Sequence, residues 1–312
     1  MKTALITGAS GYLGSHLAKS LKQSGWKVVG LDIKHTTNQY IDIMHYADVR
    51  NINELEDLFL RIKFDTVFHL AGRIEAGVSF EEPTEFYSVN VGGTSNILNM
   101  MWLYGVENIV YSSTAAVYQA SNKPIKEIDT LANNSPYGDS KLIAEELIHA
   151  SGLNRVIFRY FNLAGADVDG EFGENHEPET HLIPRIIENL NNFQINGNDY
   201  DTPDGTCIRD YVHVADVADA HKAAEEFFAD GGKRMTLNLG TGKGHSILEI
   251  IDGLEKITGK KINYTFNERR PGDADSLVAD ITFAENALNY RPKHDIMSIL
   301  KTAYEWYNKN DE

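Results

Sequence analysis

"KTALITGASGYLGSHL", residues 2–17, sets a short apolar run against a loop whose glycines, Gly8, Gly11 and Gly14, stand three residues apart. The run suits a strand buried on both faces, and apolar residues recur at helical spacing after the loop. Small residues at such a junction permit a tight turn, backbone approach to a pyrophosphate and close helix–strand packing. The helix start then offers N–H groups and a positive dipole end. Glycines alone also suit an ordinary strand–helix turn. Asp32, which closes the next apolar run, makes the reading more specific: an acid there can bind adenosine-ribose hydroxyls and repels a 2′-phosphate. The expected cofactor is NAD rather than NADP.

Working outward, "KVVGLD" (27–32), "DTVFHLA" (65–71), "ENIVYSS" (107–113) and "NRVIFRYF" (154–161) are further apolar runs. Helical spacing fills 12–24, 51–62, 84–104 and 136–151 between them. Repeated strand–helix–strand units predict an α/β fold built on a doubly wound parallel sheet, the Rossmann arrangement. After Phe161 the chain becomes rich in Gly, Asn, Asp, Glu and Pro, with strand-like "CIRDYVHV" (207–214) and helical 215–229. A smaller C-terminal α/β substrate-binding domain is expected. The cofactor domain is assigned to 1–162, with returning segments near 206–242, and the discontinuous second domain to 163–312.

The 312 residues are 42% hydrophobic and 24% charged, enough for one large or two ordinary domains. A net charge of −16 argues against nucleic acid, whose phosphates need a basic stripe. No run of about 18 apolar residues exists, so no membrane span is expected. The single cysteine, Cys207, excludes an internal disulfide framework and fits a reducing compartment, so the expected location is the cytoplasm. His213, His221 and Asp216 fit a helical polar face better than a metal site, and no metal is expected.

"SPYGDSKLIAEE" (135–146) holds the chain's one Tyr-x-x-x-Lys spacing, Tyr137 and Lys141. Roughly one such pair arises by chance in a chain this rich in tyrosine, so its neighbours decide its meaning. On a helix the two residues share a face. "YSSTAAVY" (111–118) precedes that helix and offers Ser112, Ser113 and Thr114 at a strand end, where ligands of such sheets collect. Serines and threonines there also serve simple turns. Asp48 and Val49 could hold adenine, or Asp48 could be an ordinary loop aspartate. Leu70, Ala71 and Gly72 give a backbone stretch of close approach beside the pyrophosphate.

"GASGYLGSH", "SSTAAVY", "SPYGDSK", "RYFNLAGA", "GNDYDTPDGTCIRDYVHVAD", "NLGTGKGHS" and "RRPGDADS" follow one another here as in the UDP-glucose 4-epimerases. That family belongs to the extended short-chain dehydrogenases/reductases, and the chain resembles it over nearly its whole length. The resemblance implies Tyr137 as catalytic tyrosine, Lys141 as its partner and Thr114 as the hydroxyl that bonds the reacting group. It implies an NAD shell of Gly8, Gly11, Tyr12, Leu13, Gly14, Asp32, Asp48, Val49, Leu70, Ala71, Gly72, Asn90 and Ser112, completed by Tyr137, Lys141 and Tyr160. Asn162, Leu182, Arg209, Arg270 and Asp273, with Thr114 and Tyr137, are implied to bind the nucleotide sugar. From the residues alone, Arg209 and Arg270 also fit salt bridges.

The activity so implied inverts C4 of a UDP-hexose, UDP-glucose or UDP-galactose, through a transient 4-keto sugar. A free tyrosine titrates near 10, and a nearby ammonium and the nicotinamide charge are expected to lower Tyr137. Related 4,6-dehydratases carry Asp-Glu where this chain has Ala115-Ala116, which favours epimerisation over loss of water. His181 stands where some members have asparagine, and Leu277 where several have tyrosine, so N-acetylhexosamine or uronate substrates remain open. Ile74 replaces a lysine that some relatives place near the pyrophosphate. A non-catalytic NAD-binding protein is the rival from another class. Relatives commonly pair through the helices at 84–104 and 136–151, so a homodimer is expected.

Overall fold

The computed structural model describes residues 1–132, 134–176, 179–269 and 273–310. In chain order the strands are β1 (Thr3–Thr7), β2 (Lys27–Asp32), β3 (Ile43–Tyr46), β4 (Thr66–His69), β5 (Asn108–Thr114), β6 (Asn154–Tyr160) and β7 (Asn162–Ala164). They continue as β8 (Phe193–Asn196), β9 (Ile208–His213), β10 (Arg234–Leu239), β11 (Gly244–Ser246), β12 (Tyr264–Asn267) and β13 (Ser276–Leu277). The helices are α1 (Tyr12–Gln23), α2 (Ile52–Arg61), α3 (Pro83–Phe86), α4 (Thr94–Tyr104) and α5 (Pro136–Ala150). After these come α6 (Leu182–Glu188), α7 (Val214–Ala229), α8 (Ile247–Thr258), α9 (Thr282–Leu288) and α10 (Ile296–Asn310).

Two compact units divide these elements. The first comprises Met1–Gln119, Thr130–Arg159 and Ala218–Leu237; the second comprises Ala120–Asp129, Tyr160–Val217 and Asn238–Glu312. The first is organised by a seven-stranded sheet of order β10-β6-β5-β4-β1-β2-β3. Its β3-β2-β1-β4-β5 ladders are parallel. Strand order reverses between β1 and β4, and such switch points are where doubly wound sheets bind ligands. β1 and β4 have almost no exposed residue, which is why both read as unbroken apolar runs. Leu5, Val29, Val67 and Ile109 from the strands pack with Leu55, Ile97, Met101 and Ile148 from the helices.

The segment 84–104, which reads as one helix in sequence, is three pieces. α3 passes into a π-helical stretch, Tyr87–Gly93, before α4 begins. The wider π turn carries Asn90, and such turns are frequent at functional sites. α5 starts where Ser135 accepts a hydrogen bond from the Gly138 N–H, with Pro136 at the position that tolerates a missing donor.

In the second unit β9 is central: β11 pairs with it antiparallel, and β7 and β13 pair with it in parallel. β8 and β12 form a separate parallel pair. Ile183, Ile186, Phe193, Tyr211, Ile250, Leu254, Ile299 and Leu300 fill its core. α8 is bounded by a Ser246–Glu249 capping box and by Gly259 in the left-handed region. No helix among the described residues is long and apolar enough to cross a membrane.

Candidate active site

The glycine loop is held by its own lack of side chains. Gly8 has φ +72°, and a Cβ there would lie 2.9 Å from the Ala71 nitrogen; a Cβ on Gly14 would lie 2.1 Å from the Gly8 carbonyl oxygen. No side chain caps α1, and no acidic residue occupies its first turn, so the positive end of that helix is open to an anion. Asp32 ends β2 and accepts hydrogen bonds from the Ser10 N–H (3.0 Å) and the Lys34 N–H (2.9 Å), which ties the loop to the acid. These residues fit a dinucleotide: close backbone approach for a pyrophosphate, and a fixed carboxylate for a ribose. Asp48 is engaged by Arg50, side chain at 2.7 Å and backbone N–H at 2.8 Å, and that guanidinium holds its carboxyl below the usual range. Val49 is buried behind it.

β4, the π turn and α5 are joined by one chain of hydrogen bonds. The Thr7 hydroxyl accepts from the Leu70 and Ala71 N–H groups, so its own proton goes to His69 Nδ1 at 2.7 Å. His69 Nε2 then donates to Thr94 Oγ1 (2.9 Å), and Thr94 donates to the Asn90 carbonyl (2.6 Å). This sequence of donors assigns a neutral His69. Burial pushes its pKa down to about 3, and the Lys141 charge acts in the same direction. The Asn90 side chain accepts from the Arg73 N–H and donates to Arg73 O and to Ser140 Oγ, which in turn donates to the Tyr137 carbonyl. A Cβ on Gly72 would meet Asn90 Oδ1 at 2.8 Å and Lys141 Nζ at 3.1 Å.

The α5 residues are held just as firmly. Lys141 Nζ donates to the Ser112 carbonyl at 2.9 Å and lies 5.1 Å from the Tyr111 ring centre. One turn later Glu145 is buried and bonded to Arg159 at 2.6 Å, and it also accepts from the Ser113 hydroxyl. Arg159 reaches on to Tyr118 (2.9 Å). This pair clamps α5 to β5 and β6, and because both charges are buried and fully bonded, removing either would leave the other stranded.

Burial pushes the Tyr137 phenol up to about 12; a hydrogen bond with Thr114 opposes the rise and the Glu75 charge adds to it. Burial pushes Lys141 down to about 8, against the Glu145 charge. The expected lowering of the phenol by its lysine is therefore not found in the protein alone: desolvation dominates, and the ammonium is turned to Ser112. Thr114 also accepts from the Ala116 N–H (3.1 Å), fixing the short turn Ala115–Val117 against which Gly138 packs.

In the second unit, Arg209 on β9 is bonded to the Asp273 carboxylate and, through Nη1, to the Ile208 carbonyl at 2.7 Å. Asp273 also accepts from the Tyr200 hydroxyl (2.9 Å). Arg269 lies 4.0 Å above the Tyr200 ring and pairs with Asp275 at 2.8 Å. Asn162 is on β7 opposite Tyr211, Leu182 opens α6, and Leu277 is in register with Arg209. Tyr160 ends β6 and is half-buried. Arg270 lies outside the described residues. Sequence reasoning passed over His69, Glu145, Arg159 and Arg269. A histidine at the end of β4, between Phe68 and Leu70, is the local signal for His69.

Residues 4–240 match the NAD dependent epimerase/dehydratase family. The chain is 38% identical over 320 residues to the UDP-glucose 4-epimerase of Rhizobium meliloti (strain 1021), covering 99% of this chain and 98% of that protein. Its fold is similar to the crystal structure of the Brucella ovis UDP-glucose 4-epimerase in complex with NAD, with a TM-score of 0.94, 38% identity and 98% of each chain covered. It is also similar to the UDP-Glc/GlcNAc 4-epimerase of Campylobacter jejuni, with a TM-score of 0.85, 31% identity, and 99% of this chain and 100% of that one covered. Built on a parallel switch-point sheet with a glycine loop and an acid that fit a dinucleotide, the chain belongs to the NAD dependent epimerase/dehydratase family, and its cofactor is NAD.

Proposed function

We propose that this enzyme inverts C4 of a UDP-hexose, interconverting UDP-glucose and UDP-galactose through a 4-keto sugar. When bound, NAD supplies a hydride acceptor that returns the hydride in the same turnover, together with a positive charge that favours phenolate. Tyr137 takes the proton of the sugar 4-hydroxyl and gives it back after the keto sugar has turned over. Thr114 holds that hydroxyl and the phenol in one hydrogen-bonded set. Lys141, with one of its three donors on Ser112, directs the others to the nicotinamide ribose. Arg209 takes the diphosphate by exchanging its Asp273 partner, and Asp273 then binds the uridine ribose.

The observation that carries this reading is the pairing of Tyr137 with Thr114, the side chain that opposes the rise of the phenol, with two alanines directly after that threonine. The pair can move one proton, and neither alanine offers the further acid that elimination needs. Incubation with UDP-galactose, UDP-N-acetylgalactosamine and UDP-galacturonate in parallel tests it. UDP-glucose should form from the first without net NADH; no turnover of UDP-galactose would sink the assignment. A second activity on N-acetylhexosamines is favoured by Leu277, a smaller residue than tyrosine beside Arg209, and by likeness to the Campylobacter jejuni enzyme.

A homodimer through α4 and α5 belongs to the same reading. These helices pack together, and Trp102 and Leu103 on α4 are 77% and 57% exposed. Sedimentation equilibrium should give twice the chain mass. The cytoplasm is the proposed compartment, supported by a chain with a single cysteine, the buried Cys207, and hence no internal disulfide; fractionation tests it.

A further inference from the structure

Apart from the cofactor and catalytic groups, the second unit contains a compact cluster of ligand-type atoms. On the segment that leads into α6, Glu174, His176, Glu179 and His181 each present one nitrogen or oxygen, and all four atoms lie within 4.8 Å of one another. His176 Nδ1 is 3.4 Å from Glu174 Oε1 and 3.5 Å from Glu179 Oε2. That nitrogen is buried and makes no hydrogen bond although two carboxylates face it. His181 Nδ1 is bonded to the same Glu174 oxygen, and the two imidazoles stand edge to face with centres 5.0 Å apart.

The spacing fits a shared cation. Four ligands about 2.1 Å from a tetrahedral ion lie about 3.4 Å from each other. The two contacts of His176 already have about that length, the Glu174–His181 contact is shorter and would open, and every pair lies within 4.8 Å. The carboxylates are oriented from behind. Glu179 Oε1 accepts from the Thr180 (2.7 Å) and His181 (2.8 Å) N–H groups, which leaves Oε2 to face inward. The Tyr307 hydroxyl from α10 approaches that inner oxygen at 3.4 Å. Supporting contacts of this kind fix ligands at metal centres. Glu174 is 4% exposed, and a carboxylate so buried beside a second one needs compensating positive charge.

We propose that His176, His181, Glu174 and Glu179 bind one divalent transition-metal ion of the zinc class. Two neutral imidazoles and two carboxylates match both its charge and its preference for nitrogen and oxygen donors. With four protein ligands the site is closed, so the ion is structural. It ties Glu174 and His176 to Glu179 and His181 at the entry to α6, where His181 stands directly before Leu182.

The test uses the full-length protein with its NAD, stripped of metal by chelator and titrated with Zn²⁺ alone. Calorimetry and elemental analysis should give one tightly held ion per chain, with a rise in Tm on loading. Co²⁺ in place of zinc should give the intense visible bands of four-coordinate geometry. His176→Ala, and separately the near-isosteric Glu174→Gln, should each weaken Zn²⁺ binding by more than the roughly 10- to 100-fold typical of an outer contact. Retained NAD and an unchanged circular dichroism spectrum would show that these variants fold. Failure of the unaltered protein to take up stoichiometric Zn²⁺ would overturn the proposal. So would undiminished binding in both variants, or a Co²⁺ spectrum of six-coordinate form.

Discussion

In the first unit, burial raises Tyr137 to about 12 and lowers Lys141 to about 8 and His69 to about 3, so desolvation shifts each of them toward its uncharged form. In the second unit, burial also works against the Arg209 charge, but neighbours including Asp273 reverse the effect, and Arg269 is held in an ion pair with Asp275. One region stores groups whose ionisation an incoming charge can change. The other stores charges already paired, which an anionic ligand must take over. Proton transfer needs the former, because a base must change state within each turnover. Grip on a diphosphate needs the latter, because exchanging partners avoids leaving a guanidinium bare.

The largest expected effect breaks the first region at its reacting atom. Tyr137→Phe should lower turnover about 100- to 10,000-fold while the protein still purifies with NAD; near-full activity would remove the tyrosine from its role. Next is the second region: Arg209→Ala should weaken UDP binding by calorimetry about 100-fold, close to 3 kcal/mol, and unchanged affinity would make Arg209 a structural salt bridge only. His69→Ala leaves Thr7 and Thr94 without a shared partner and should lower stability to urea by about 2 kcal/mol, whereas a neutral result would deny that the relay supports the fold.

The pH dependence sharpens the contrast. Between about pH 8 and 10 the unfolded chain keeps a proton on Lys141 that the folded, cofactor-free protein has released. The unfolded state then binds more protons, so stability rises with pH across that window, by about 1 kcal/mol per unit. Lys141→Met should flatten the rise in urea titrations. The smallest expected effect is one of selectivity: Leu277→Tyr should reduce any turnover of UDP-N-acetylgalactosamine relative to UDP-galactose, read from paired rates.

These regions were not equally legible in the amino-acid chain. The glycine loop, Asp32 and the Tyr137–Lys141 helix stand out because backbone approach and helical geometry restrict which residues fit over a few positions. Glu145 and Arg159 are 14 residues apart, and Thr7 and His69 are 62 apart. Their pairing follows from the neighbouring positions of β1, β4, β5 and β6, which no local pattern encodes. The same holds for Arg209 and Asp273, separated by 64 residues. The π turn at Tyr87–Gly93 was hidden for another reason: its apolar spacing is compatible with an ordinary helix, and only the hydrogen-bond register distinguishes it.

The central claim is that a hydride leaves C4 and returns to the same carbon while Tyr137 handles the proton. It is tested most directly with UDP-galactose carrying deuterium at C4, followed by mass spectrometry and by absorbance of reduced cofactor. The account predicts UDP-glucose that keeps its deuterium and no accumulation of NADH. Loss of the label to water, or one NADH formed for each sugar consumed, would contradict it.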